Sequence, residues 1–432
     1  MADEVAAEFP PTVRRFCVWV AVMTLLSEAF DWALRSLFHQ RPPWGGSFVW
    51  EDTGGDFRLF AFRFLHFRTP EFWNAPGFPF SYPAPVGLAY WLLYKLPRAE
   101  QVYLALGILA LAGWAWYFSG ELAERGLSRT RSFALLLVFV PLCWPVRMQL
   151  QTGNIEGLAA VVLGVGIVAA LRRRWGLAGA LIGLAGAMKV FPFLLLGLLL
   201  SRRRYKELAF GLAVAAGVTV ASLAVLGPSI VEAQRHIDAG LAYILDKSAL
   251  SPVVNGLPFN HSLFSLVKDG IALDDTVRHP GEHTEALRAA RVAREYLQMK
   301  SALRIYLPVV AVLGCLLYGL RLRHLPLLNQ AIGLTVCAVL LPPFSFDYTL
   351  IHLLVPLGLL LVYAVDAWRD GVQPRGVAAA LLCFAFLMTT GDYFRLRYMF
   401  NTQVRTLALL ALLAVVCIYP FRSPTYDGAD GA

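Results

Sequence analysis

The sequence predicts an all-α polytopic integral membrane protein, a bundle of about 10–13 transmembrane or re-entrant helices with an interfacial helix in its first outside loop. Three observations carry the prediction. Of 432 residues 58% are hydrophobic and 16% charged, with a mean hydropathy of +0.58, outside the range of soluble globular chains. Charge-free runs at 101–120, 208–231, 325–346 and 348–365 each approach or exceed the ~18–20 residues that cross hydrocarbon. The formal net charge of +9 is spread as short Lys and Arg clusters between such runs, the pattern of loops at one membrane face rather than of a nucleic-acid surface. Secreted, cytosolic and disordered chains are excluded, no nucleic-acid partner is expected, and the lipid bilayer is the first partner.

In chain order, Arg14-Arg15 precede a first span at 16–38, and no small-residue cleavage site follows it, so this helix is expected to remain as a signal anchor. Residues 39–82 form a first outside loop, in which the Phe- and Arg-rich stretch 57–68 reads as an interfacial helix. Further spans are expected at 101–119, 132–148, 155–171, 208–231, 302–320, 327–344, 349–365, 376–391 and 404–420, with shorter apolar pieces at 83–97, 176–188 and 190–200. Residues 232–300 are too polar to cross and read as a large outside loop, its 284–299 segment a surface helix offering Arg288, Arg291 and Arg294 to headgroups. The runs are continuous and carry small residues four and three apart, Gly176, Ala180 and Gly183, which suits packed helices and not barrel strands. The whole chain, 1–432, is read as one membrane domain. Its six cysteines lie in apolar segments without CxxC spacing, so neither a disulfide framework nor a zinc site is expected.

Orientation follows from the basic residues. If Arg14-Arg15, Arg125/Arg129/Arg131, Arg172–Arg174, Arg202–Arg204 with Lys206, Arg321/Arg323, Arg369/Arg375 and Arg422 share the cytoplasmic side, seventeen basic residues face four near outside loops, Arg147, Arg395, Arg397 and Arg405. Two conditions must hold: 83–97 does not cross fully, and 176–200 enters and leaves on one face as a broken hairpin around Lys189 and Pro192. Irregular backbone at that depth is tolerated where it lines a cavity. The rival threading makes both segments full spans.

In the first threading the remaining polar features gather on one face: Glu51–Arg58, Gln151-Thr152-Gly153-Asn154, Asn255 to Leu263 with Asn260 and His261, and Ser345-Phe346-Asp347-Tyr348. An Asp beside a membrane surface can act as general base for a hydroxyl; Asp56, ahead of an aromatic helix, can equally be its N-cap. Lys189 is separated from the nearest Arg by 14 residues on one side and 12 on the other, too deep to snorkel freely. It binds a substrate anion or belongs to a structural pair with Glu28, Asp31 or Glu156. Asp31 can instead pair with Arg35 at i,i+4. Asp274, Asp275, His279, Glu282 and His283 read as a solvated turn before a metal cluster. No Walker A, dinucleotide fingerprint or nucleophile elbow is present.

Several motifs in order resemble glycosyltransferase family 87, the polyprenyl-phosphate-mannose-dependent mannosyltransferases of the GT-C membrane class. They are Gly55-Asp56-Phe57, Phe80-Ser81-Tyr82-Pro83-Ala84-Pro85, Gln151-Thr152-Gly153-Asn154, Ala185-Gly186-Ala187-Met188-Lys189-Val190-Phe191-Pro192 followed by Arg202-Arg203-Arg204-Tyr205, and Asn260-His261-Ser262-Leu263. The resemblance implies a GT-C-like bundle in the cell membrane, a bacterial inner membrane, with its active site on the outer face. It implies inverting transfer of a sugar, mannose first, from a polyprenyl-phosphate donor to a hydroxyl of a lipid-linked or cell-envelope glycan, without metal or cofactor. Asp56 is then the catalytic base; Lys189, Arg58 and Tyr82 meet the donor phosphate; Asn154, Gln151, Asn260, His261, Asp347 and Tyr348 line the substrates. Two departures stand out: Ser345-Phe346-Asp347-Tyr348-Thr349 where the family often reads Ser-Trp-Asp-His-His, and His261 where Gln is usual. A transporter or flippase of a lipid-linked sugar needs a similar cation and cavity and is the alternative, with a non-catalytic scaffold third.

Overall fold

A computed structural model describes residues 9–38, 55–74, 79–250, 260–279, 285–372, 375–389, 395–396, 399–423 and 426. Glu51, Asp52, Asn255, Glu282, His283 and Arg397, and the side chains of Asp31, Arg35 and Arg288, lie outside the described residues. In order the chain forms α1 (Pro11–Phe38), α2 (Gly55–Leu65), α3 (Pro70–Asn74), α4 (Ala84–Tyr94), α5 (Ala99–Ala123), α6 (Arg129–Leu142), α7 (Trp144–Thr152), α8 (Glu156–Leu171) and α9 (Trp175–Met188). A 3-10 turn, Phe191–Leu196, leads into α10 (Gly197–Ser201), then come α11 (Tyr205–Leu226), α12 (Ile230–Ile244), α13 (Leu263–Arg278), α14 (Glu285–Leu320) and α15 (Leu327–Leu340). A second 3-10 turn, Asp347–Leu353, opens α16 (Leu354–Arg369), followed by α17 (Arg375–Met388) and α18 (Asn401–Ile418). Ahead of α18, β1 (Arg395–Leu396) pairs antiparallel with β2 (Met399–Phe400).

The chain is an all-α polytopic membrane protein. Among the described residues four helices are long and apolar enough to cross a bilayer, five if α6 and α7 are one broken span, and seven shorter apolar helices of 10–17 residues accompany them. The expected spans are there as apolar segments, several of them divided. The 132–148 segment bends by 62° between α6 and α7, where Pro141 and Pro145 each remove a backbone donor. Conversely, 284–299 and 302–320 fuse into the 36-residue α14, about 54 Å long, because nothing between Tyr296 and Leu303 interrupts a helix. Arg291 and Arg294, expected at headgroups, instead lie against Asp275 of α13 at 3.6 and 3.2 Å.

The stretch 175–201 is a hairpin. A β-carbon on Gly179 would lie 3.5 Å from Leu199, its counterpart across Lys189, and the Arg204 guanidinium stands 5.5 Å above the Trp175 ring. The antiparallel limbs return both arginine triplets to one end. The hairpin seats against α11 through glycine: a β-carbon on Gly183 would come within 2.1 Å of the Gly211 carbonyl oxygen, so only Gly permits that crossing. α4, 11 residues and about 16 Å, is about half the thickness of the hydrocarbon core. Tyr82 just before it reaches Asn154, and Tyr94 at its far end donates to the Phe57 carbonyl of α2. This geometry is compatible with the first threading.

The bundle thus has a polar junction at one end and a basic belt at the other. α8 runs from Glu156 to Leu171, about 24 Å, between them. At the basic end Arg125 holds Asp366 at 2.6 Å and Glu121 at 3.3 Å, and Arg172 also pairs with Glu121. α15 fills the centre, every residue buried, as a helix apolar all round must be. Of its polar residues Asn329 is fully bonded, donating to the Val416 and Tyr419 carbonyls at 2.7 and 2.8 Å and accepting from Phe421 N at 2.6 Å. With native thiols removed, a cysteine replacing Thr152 should be modified by an impermeant reagent added outside, and one replacing Arg173 spared. The reverse pattern would overturn the assignment of the basic belt to the cytoplasm.

Candidate active site

The junction is organised by one turn. α7 ends at Gly153, whose φ of 62° is the left-handed value a glycine adopts at no steric cost, and the chain reverses to present the buried Asn154. The Asn154 Oδ1 accepts from Glu156 N at 3.0 Å, capping α8. That bond fixes the amide orientation, so Nδ2 faces the other way and donates to Asp56 Oδ2 at 2.7 Å and to the Tyr82 hydroxyl at 2.9 Å. The Asn154 carbonyl in turn accepts from the Tyr103 hydroxyl and from Gln149.

Asp56 lies in the first turn of α2. Among the described residues its carboxylate is hydrogen-bonded to Asn154, ninety-eight positions away, and not turned back onto the helix as a cap. α2 is anchored by its aromatic face: Phe57, Phe60 and Phe64 are buried, with Phe60 stacked on Tyr90 at 5.5 Å and Phe64 on Tyr94 at 5.2 Å. Burial raises the Asp56 carboxyl above the ordinary carboxylate range, against the pull of the Asn154 hydrogen bond and the Lys189 charge.

Lys189 follows α9 in extended conformation, φ −146° and ψ 129°. Its Nζ lies 2.8 Å from Glu156 Oε2 and 4.9 Å from the Tyr82 ring centre. Glu156 is fully buried and its other oxygen meets His352 Nε2 at 2.7 Å; the Phe191 ring stands edge-on to His352 at 5.1 Å. Of the pairings open to Lys189 in the sequence, Glu156 is the one formed, while Glu28 pairs with Arg147. Tyr348 lies within electrostatic reach of Asp56 and Glu156.

A second cluster braces the first. Asp347 accepts from Trp144 Nε1 at 2.9 Å and pairs with Arg405, whose guanidinium stacks 5.4 Å over Trp144. His261 Nδ1 lies 3.3 Å from Asp347 Oδ1, and its Nε2 3.0 Å from Ser345 Oγ. Burial lowers the His261 pKa despite the neighbouring carboxylate, which suits a neutral ring donating through Nδ1 and accepting from Ser345. Asn260 Oδ1 accepts from Ser262 N at 3.1 Å and Ser345 N at 3.0 Å, stitching the 260–263 segment to the 345–349 turn. The 3-10 turn Asp347–Leu353 serves both clusters, carrying Asp347, Tyr348 and His352. Trp144→Phe keeps the ring under Arg405 but deletes a donor to a buried carboxylate, and should lower unfolding free energy by about 1.5–3 kcal/mol; thermal unfolding in detergent measures it, and an unchanged midpoint would mean that Asp347 does not depend on the indole.

Asp56, Tyr82, Asn154 and Lys189 are brought together, with Tyr348 beside them; Asn260, His261 and Asp347 form the brace. Arg58 is not in the junction: two positions past Asp56 it points away, with a side chain 55% exposed, and holds Glu100 at 2.8 Å. Gln151 stays half-buried on α7, and Gln149 is the residue that turns inward. Gln149, Tyr103, His352, Trp144 and Arg405 were not singled out as site residues from the sequence. A lone His inside the apolar run 349–365 was the available signal for His352.

The arrangement offers a partly buried carboxylate at one edge and an ammonium over an aromatic face at the other, joined by an amide that orients both. Residues 80–240 match glycosyltransferase family 87. The polyprenol-phosphate-mannose-dependent alpha-(1-2)-phosphatidylinositol pentamannoside mannosyltransferase of Mycolicibacterium smegmatis is 28% identical over 201 residues, 45% of this chain and 44% of that protein, so the chain spans less than half the length of the curated relative it matches. No solved structure is matched. The chain is therefore similar to glycosyltransferase family 87 through the segment that carries Tyr82, Asn154, Glu156 and Lys189, with Asp56 and the 260–261 and 345–348 segments beyond its limits.

Proposed function

We propose that the chain is a membrane glycosyltransferase that moves a sugar, mannose first, from a polyprenyl-phosphate donor to a hydroxyl of a lipid-linked or cell-envelope glycan, with inversion, at the outer face of the membrane. The observation that carries this reading is the junction of Asp56, Asn154, Tyr82 and Lys189 at the end of the bundle away from the basic belt. Asp56 takes the acceptor proton as that oxygen attacks the anomeric carbon, and polyprenyl phosphate leaves from the opposite face. The phosphate needs little protonation to depart, and Lys189 meets its charge where water is scarce. Tyr82 presents a hydroxyl fixed by Asn154 and a ring that confines the ammonium. Asn260, His261 and Asp347 keep the 345–349 turn in place, so that Tyr348 closes the junction.

The similarity to family 87 and to a polyprenol-phosphate-mannose-dependent relative supports the donor class. The outer-face site is supported by the hairpin, which gathers the arginine triplets at the opposite end, and by the tendency of such clusters to stay in the cytoplasm. The deciding experiment offers purified protein synthetic polyprenyl-phosphate donors bearing different radiolabelled sugars, together with glycolipid acceptors. Label transfer from the mannosyl donor is expected; movement of intact donor across the bilayer without transfer would replace this reading with the flippase.

A further inference from the structure

Two arginine triplets punctuate the hairpin, Arg172-Arg173-Arg174 before Trp175 and Arg202-Arg203-Arg204 before Tyr205. They fold alike. In each the middle arginine is left-handed, φ 58° at Arg173 and 55° at Arg203, and the N–H of the third closes back five residues, Arg174 to the Ala169 carbonyl at 2.8 Å and Arg204 to the Leu199 carbonyl at 2.9 Å. This helix ending ordinarily takes glycine at the left-handed position, because a β-carbon there crowds the following carbonyl. Two arginines at such positions are unfavourable for the backbone, so the turn geometry does not itself select the residue type.

The hairpin sets the turns side by side, with the Arg204 guanidinium 5.5 Å over the Trp175 ring and the backbone of Gly179 against the Glu207 carbonyl. Arg173, Arg174, Arg203, Arg204 and Lys206 are exposed. A few residues inward the surface turns apolar, with Leu177 46%, Leu200 43% and Phe210 52% exposed. A concentrated positive rim beside an exposed apolar belt is the pattern of a surface that meets bilayer headgroups, where phosphodiesters sit. Guanidinium groups grip phosphate through paired N–H bonds, and Trp175 and Tyr205 are amphipathic rings of the kind favoured at headgroup level.

We propose that the two arginine turns form one binding site for anionic phospholipid headgroups, at the end of the bundle opposite the candidate active site. The site is independent of the sugar-transfer reading. Its ligand is a bilayer lipid with an exposed phosphodiester and net negative charge, and binding ties α9, α10 and α11 together at their shared rim.

The test uses the full chain in detergent micelles doped with either phosphatidylglycerol or phosphatidylcholine. The wild-type Tm should rise with phosphatidylglycerol and stay flat with phosphatidylcholine. R173G/R203G places glycine where the backbone favours it, so in phosphatidylcholine its Tm should equal or exceed wild type, while the rise with phosphatidylglycerol should fall by at least half. R68G/R98G, which relieves the other two left-handed arginines among the described residues, at the junction end, should keep the full rise. A wild-type Tm indifferent to phosphatidylglycerol, an undiminished rise in R173G/R203G, or an equal loss in R68G/R98G would each overturn the proposal.

Discussion

Asp56→Asn is expected to lower sugar transfer by ~10²-fold or more while the protein accumulates and unfolds as wild type does. The substitution is nearly isosteric, and the new amide oxygen can still accept from Asn154 Nδ2, which now spans 2.7 Å to the carboxylate, so the junction keeps its shape and loses only its base. The aromatic packing of α2 on α4 does not involve the carboxylate. pH gives a second check. Because burial raises the Asp56 carboxyl, wild-type transfer should fall on acidification through a value above the ordinary aspartate pKa of about 3.9, and the residual activity of Asp56→Asn should lack that limb. Stability moves in the opposite sense. A carboxyl raised in the folded state opposes folding once pH exceeds its unfolded value, more so as pH climbs to the folded value, so Asp56→Asn should be at least as stable as wild type at neutral pH and lose that margin in acid. Near wild-type turnover in Asp56→Asn would reduce the residue to a fixture of the helix start.

Much of this frame could be read from residue types and order, and the reasons are physical. A Lys flanked by small residues and followed by Pro within an apolar run has to break a helix, and arginine triplets on both sides have to seek water. With the balance of basic residues they favour a hairpin without excluding a full span, and the limbs do meet at Trp175 and Arg204. Lys189 stands out because a cation deep in apolar sequence is costly unless paired, Asp56 and Asn154 because they sit in polar turns within the motifs that resemble family 87. Which group pairs with which was not legible. The choice of Glu156 over Glu28 for Lys189 depends on α8 lying beside α9, and the capture of Glu28 by Arg147 on α1 approaching α7; neither adjacency leaves a mark at short range. The same holds for His352 and for the Arg405 brace, whose partners are 196 and 58 positions distant. Arg58 departs for a simpler reason: two residues along a helix is just over half a turn, which carries it from the junction to Glu100.

Lys189 carries the other large expectation, and one substitution cannot interpret it. Lys189→Met removes the counter-charge of a fully buried Glu156 that also holds His352, and stripping one partner from such a pair costs about 3–5 kcal/mol. A fall in transfer could then follow from a disturbed fold alone. The double variant Lys189→Met with Glu156→Gln separates the causes. It replaces the charged pair by neutral groups of similar volume, with the Gln amide still able to face His352, and should recover most of the stability, to within about 1 kcal/mol of wild type. If the ammonium meets the donor phosphate, transfer in the double variant should remain depressed by about 10²–10³-fold, with an elevated donor KM. Lys189→Arg should retain a fraction of activity, since guanidinium keeps the charge but not the compact fit over the Tyr82 ring. Unfolding midpoints and donor-dependence curves on wild type, Lys189→Met, Glu156→Gln and the double variant complete the cycle. Recovery of both stability and transfer in the double variant would make Lys189 a structural cation, and the donor phosphate would have to be met by another group at the junction.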